Sequence, residues 1–199
     1  MPARVRFSPK SSNIVIIADG LSSNAVAPAT FNELGQPESA FQVQQVALLE
    51  YDKYSVLIQP AERRATITEK NGISPASPLP SMMSRIIAAT DGIKLSAVGF
   101  NFWFDGVTEG PDIEVMRQYV NVERFAALGA VQSAGFKVAA KSADKLVQLN
   151  VDPVFGQDSV LVAIVNYHFQ PADSEKVLNG YRSMTVEAAE LMKRVFDVA

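Results

Sequence analysis

Residues 95–104, Leu-Ser-Ala-Val-Gly-Phe-Asn-Phe-Trp-Phe, alternate with a period of two. Val98, Phe100, Phe102 and Phe104 therefore share one face of an extended strand, and Ala97, Gly99, Asn101 and Trp103 share the other. The three phenylalanines need a hydrophobic core on their side. Trp103 needs cover on the opposite side, from a helix, a loop or another subunit. A chain built around such a strand must make a sheet, and the rest of the sequence has to supply its neighbours and its covering layer.

Those neighbours are legible as short runs bounded by turn residues. Residues 13–18 form a β-branched strand closed by Asp19-Gly20. Residues 41–48 alternate as a single strand, with Val43, Gln45 and Ala47 opposite Val46 and Leu48, followed by strands at 54–59 and 64–70 in an antiparallel meander. After the proline-rich stretch 71–80, a helix is expected over 81–89 with Gly92 closing it. Asp105-Gly106 reads as the start of a turn-rich acidic loop leading to a helix over 111–128, with Pro111 in its first turn and Gly129 past its end. Further strands fall at 136–140, 145–151 and 159–169. A long final helix then begins at an Asp173 or Ser174 cap and carries the stripe Val177, Leu178, Tyr181, Met184, Ala188, Leu191, Met192 and Val195.

This pattern predicts an α+β fold: mainly antiparallel sheet, in one piece or more, with about three helices on one face. The 199 residues divide into an N-terminal strand and extended arm, 1–40, and one α+β domain, 41–199. Within that domain, 41–89 and 136–196 each read as three strands followed by a helix, giving possible halves 41–104, which includes the strand at 95–104, and 136–199, joined by the helix at 111–129. Internal duplication and two unrelated units fit this equally well, because no residue motif recurs at matched positions.

Residues 73–105, with their proline-rich approach, short helix and Leu95-Ser96-Ala97-Val98-Gly99-Phe100-Asn101-Phe102, resemble the middle segment of a sporadically distributed bacterial family of uncharacterised α+β proteins. The ending is similar too, with its Asn150-Val151-Asp152 strand end, a further strand and a long terminal helix. The resemblance covers about half of the chain and implies an α+β fold with no established activity.

The chemistry is defined mostly by what is missing. A formal charge of -3 leaves no basic field to draw in nucleic acid or anionic lipid, and Arg63-Arg64 is too small a patch to change that. The absence of cysteine removes thiolate nucleophiles, disulfides and sulfur-bound zinc. No glycine-rich phosphate loop, nucleophile elbow or cofactor motif is present. The single histidine, His168, suits either a general base or metal ligand, or a hydrogen-bonded residue at a strand rim. Asp105, Glu109 and Asp112, with Glu114 beside them, are the candidate ligands for a hard cation such as calcium or magnesium. A solvated turn and favourable charges at a helix start account for them equally well.

Two functional classes follow. The first, which the missing nucleophiles favour, is a non-enzymatic interaction or assembly protein, a subunit of a larger bacterial or phage-derived, mobile-element complex. It would self-associate through residues 2–40 and an exposed strand edge, with Phe31, Leu34 and Trp103 as contact residues. The alternative is a small enzyme or ligand-binding protein with a carboxylate-lined site near 105–114. No run reaches the eighteen or so apolar residues of a membrane span, so the cytoplasm is the expected setting, or a virion if the origin is phage.

Overall fold

The computed structural model describes residues 4–26, 28–43, 46–142, 144–170 and 173–196. Among them are the strands β1 (Val5–Asp19), β2 (Ser39–Val43), β3 (Val46–Glu50), β4 (Tyr54–Gln59), β5 (Arg64–Glu69), β6 (Lys94–Thr108), β7 (Phe136–Lys141), β8 (Lys145–Pro153) and β9 (Val160–Phe169). The α-helices are α1 (Leu79–Ala88), α2 (Asp112–Met116), α3 (Ser174–Asn179) and α4 (Tyr181–Phe196). All nine strands join one antiparallel sheet in the order β2-β3-β4-β5-β1-β6-β9-β8-β7, so the fold is α+β.

The order is symmetric about the β1–β6 pair except for β2, an extra edge strand on one side. β1 and β6, each 15 residues long, pair along their lengths, and each is flanked by the last strand of the meander that follows it in sequence. β1 therefore forms the middle of the sheet. Its first half, Val5 to Ser12, contains a proline and several polar residues that do not announce a strand, yet it pairs with Phe102 to Thr108 of β6. Register supplied from outside overrides weak local propensity here. A bulge between Pro9 and Ser11 absorbs the proline and brings Lys10 beside Asp105.

One face of the sheet holds the core. Ile14, Ile16, Val56, Ile58, Ile67, Phe100, Phe102, Val165 and Tyr167 are fully buried there. From α1, Leu79, Met82, Met83 and Ile86 are buried as well, at the helical spacing that predicted the helix. Tyr181 at the start of α4 packs edge-on against Phe100, with ring centroids 5.4 Å apart, and donates a 2.8 Å hydrogen bond to the Ser12 hydroxyl.

Several expectations are corrected. There are four α-helices among the described residues rather than about three. The expected long final helix is interrupted at Gly180, which caps α3, while the cap expected at Asp173 is present, its carboxylate accepting from the Lys176 amide at 3.1 Å. The helix expected over 111–128 shrinks to α2, followed by a 3-10 segment over Val122–Leu128. Residues 41–48 are not one strand but a hairpin, β2 and β3, in which Phe41 faces Leu48 and Val43 faces Val46; the residues between, 44 and 45, lie outside the described ones. Gly106 does not open a turn. It sits inside β6 opposite Phe7, whose ring occupies the space that a Cβ would need, 2.5 Å away.

Candidate interaction surface

Along β9 the side chains alternate strictly between half-buried and buried, and the half-buried set points away from the helices. Cross-strand pairing fixes what this open face carries. Its middle row runs Ser55, Thr68, Asn13, Asn101, Asn166, Gln148 across β4, β5, β1, β6, β9 and β8. The row on one side reads Leu57, Thr66, Val15, Gly99, His168, Leu146, and extends through Leu48 to Phe41 at the edge. On the other side stand Ser11, Trp103, Ile164 and Asn150.

Three features set this face apart from an ordinary solvated one. On β1, β6, β9 and β8 these rows carry no Asp, Glu, Lys or Arg; Glu50 continues the middle row on β3, Lys141 and Lys137 end the other two on β7, and Arg64 and Asp105 stand in the neighbouring rows. Three asparagines close on one another, since the Asn101 amide donates to the Asn13 carbonyl at 2.7 Å and the Asn166 amide donates to the Asn101 carbonyl. Two hydrogen bonds thus tie the three amides to one another across the sheet. Finally, Val15, Leu57, Trp103, Ile164 and Leu146 remain only half-buried on a face that an antiparallel sheet normally fills with polar residues. Depletion of charge with an aromatic at the centre is the compositional mark of an interface core.

The sequence-predicted residues distribute as follows. Trp103 lies on the open face, opposite the phenylalanines, as its position in the alternation requires. Phe31 is fully buried in the chain's own core, and Leu34 is half-buried against that core, so this part of the arm is folded back on its own chain. His168 is half-buried between Gly99 and Leu146. The acidic residues do not converge. Asp105 is bound to Lys10 at 2.8 Å, and Glu109 lies 3.7 Å from Arg6. Asp112 is buried at the start of α2, where its amide donates to the Asp158 carbonyl at 2.6 Å and burial pushes its carboxyl above the usual range. Among the described residues, no group of three or more His, Asp or Glu could hold a metal ion.

A second buried acid was missed by the sequence reading. Glu69 ends β5 on the core face, and burial raises its carboxyl above the ordinary range against the opposing influence of the Ser77 and Ser12 hydroxyls and Lys53. The polar–apolar alternation of 64–69 places it with Ala65 and Ile67, which is the only signal that could have found it. The asparagine row was also missed, because its members lie 88 and 65 residues apart in sequence and only the register aligns them.

In comparisons with known proteins, no family model matches the chain and no curated protein matches it. No helix among the described residues is long and apolar enough to cross a membrane.

Proposed function

We propose that this protein is a non-enzymatic assembly subunit that holds protein chains together through the open face of its sheet. The observation that supports this reading is the uncharged, partly apolar set of rows around Asn101 and Trp103, left outside the layer where the helices pack. Apolar side chains left half-buried on either side of an uncharged amide row support an interaction site there. Its setting would be a larger bacterial or phage-derived complex, in the cytoplasm or a particle. The acidic segment belongs to structure in this reading, since its carboxylates are tied to separate cations or buried. Sedimentation of the purified chain over a range of micromolar concentrations tests the proposal. A species heavier than 21.6 kDa is expected, and a monomer at every concentration that also gains no mass in its native extract overturns it.

A further inference from the structure

Two features away from the open face complement each other. One is a projection. Phe155, in the turn between β8 and β9, is the most exposed large apolar side chain among the described residues, at 104%. Its place is fixed by the backbone: the Val154 amide donates to the Val160 carbonyl at 2.9 Å and the Gln157 amide to the Val154 carbonyl at 3.0 Å, while Gly156 supplies the positive φ, 79°, that the turn requires. The other feature is a cavity. On the helix side of the β7–β8 wing an apolar groove of about 460 Å³ stands open, lined by Leu149, Leu191 and Val195 and walled by Tyr119 and Phe136, whose rings stack at 5.4 Å. We infer that the Phe155 turn of one copy of this chain seats in the groove of the next, joining copies head to tail. This contact goes beyond the reading above, because the groove opens on the helix side of the sheet and the open face takes no part in it.

Shape, reach and charge commit the groove to this occupant. Its volume lies within the range of about 300–1,000 Å³ that encloses small organic groups, so a benzyl side chain enters it, and its aromatic walls suit a third ring. An aromatic anchor in a desolvated pocket is the usual energetic centre of a protein interface. A copy cannot fill its own groove, since β8 stays paired with β9 as far as Pro153↔Leu161 and carries the turn beyond the Phe136–Val151 pair. Charge selects in the same direction. Asp152 and Asp158 stand three residues to either side of Phe155, and the hairpin from Leu146 to Phe169 carries no Lys or Arg. β7, the outer lip of the groove, carries Lys137 and Lys141 and no acid, and neither lysine has an ion pair among the described residues. The two acids of α4, Glu187 and Glu190, are paired with Lys145 and Arg194. Each copy offers one turn and one groove, so the contact is heterologous, and copies extend into a chain or close into a ring.

The full-length protein would be followed by sedimentation velocity over a range of micromolar concentrations. Wild type should form species heavier than 21.6 kDa whose mass grows with concentration. Phe155→Ser removes the projection at a site that adds nothing to the core. Val138→Glu blocks the groove at its exposed lip, and Ala140→Glu replaces it if that variant loses its far-ultraviolet dichroism. Each variant alone should associate about tenfold or more weakly than wild type. Mixed in equal amounts they should recover association, because the intact groove of the Phe155→Ser chain accepts the intact turn of the other, and the product should stop at twice 21.6 kDa. Association that ignores both substitutions overturns the head-to-tail contact and leaves assembly through the open face standing. Variants that each associate weakly but recover nothing when mixed overturn it too. A wild-type chain that stays at 21.6 kDa throughout also overturns it, whereas the assembly reading above falls only when the native extract adds no mass either.

Discussion

On the helix side of the sheet, the wing formed by β3 and β4 and the wing formed by β7 and β8 occupy equivalent places on either side of the β1–β6 pair, but they are finished differently. The connection after β1 folds over the first wing, burying Leu21, Val26 and Phe31 and anchoring itself to α1 through an ion pair between Arg85 and Glu33. The connection after β6 reaches the second wing mainly with Tyr119, which stacks on Phe136 at 5.4 Å. What remains is an apolar groove of about 460 Å³ bordered by Tyr119, Phe136, Val138, Leu149, Leu191 and Val195. One topology thus yields a plugged wing and an open one, and the difference lies in the connections rather than in the strands. Stability should be concentrated in the first wing.

Phe31→Ala tests that directly and should have the largest effect. Removing a fully buried aromatic ring costs about 3–5 kcal/mol, read as a lower denaturation midpoint with the slope unchanged. Leu191→Ala is the counterpart in the second wing. Leu191 is only half-buried and already borders open space, so the loss should be about 1–2 kcal/mol, below the usual range for a core leucine. Equal losses for the two variants would remove the contrast between the wings.

Titration sharpens the comparison further. Glu69 in the first half and Asp112 in the second are both raised by burial. For a raised acid, the unfolded chain ionises first as pH rises, so the folded state loses stability until its own carboxyl has titrated. Relative to Glu69→Gln or Asp112→Asn, the wild-type protein should therefore lose stability as pH is raised from about 4 toward neutrality. Glu33 is the opposite case, because the hydrogen bond from Arg85 holds its carboxyl below the ordinary range. Relative to Glu33→Gln, the wild type should hold its advantage above about pH 4 and lose it as pH falls through the lowered value. Denaturant melts across this range measure all three differences, and a single sign for Glu33 and Glu69 would contradict the structure.

The smallest effect belongs to Asp105→Asn. Its partner Lys10 is 51% exposed and its own side chain 42% exposed, so the change should stay within about 1 kcal/mol. Thermal midpoints should show no saturable response to calcium or magnesium at constant ionic strength, before or after the substitution. A saturable rise abolished by Asp105→Asn would reinstate the cation site.

Which parts were legible in the sequence follows from where the information sits. β4 and β5 were read to the residue at nearly every end because Lys53, Pro60 and the Glu69-Lys70 boundary punctuate them locally. The β2–β3 hairpin was not, since Gln44-Gln45 carries none of the glycine or asparagine that marks a tight turn. Gly106 misled for the converse reason: glycine signals a turn, but here it makes room for a ring 99 residues away, that of Phe7. Trp103 could be assigned to the face opposite the phenylalanines from alternation alone. That it shares this face with Asn13, Asn166, Val15 and Ile164 depends on long-range register, which no local pattern records.

The pairing of β1 with β6 also has a consequence in time. β1 ends at Asp19 and its central partner begins at Lys94, so about 75 residues must be synthesised between them, about 4–15 s at the rates at which ribosomes extend a chain. During that interval the nascent first half can complete its meander and seat its arm, but the long free edge of β1 has no partner within the chain. Such an edge is a template for any neighbouring strand, and contacts this remote in sequence close slowly. Chains on adjacent ribosomes are therefore most exposed to mispairing at β1, before β6 emerges to cover it.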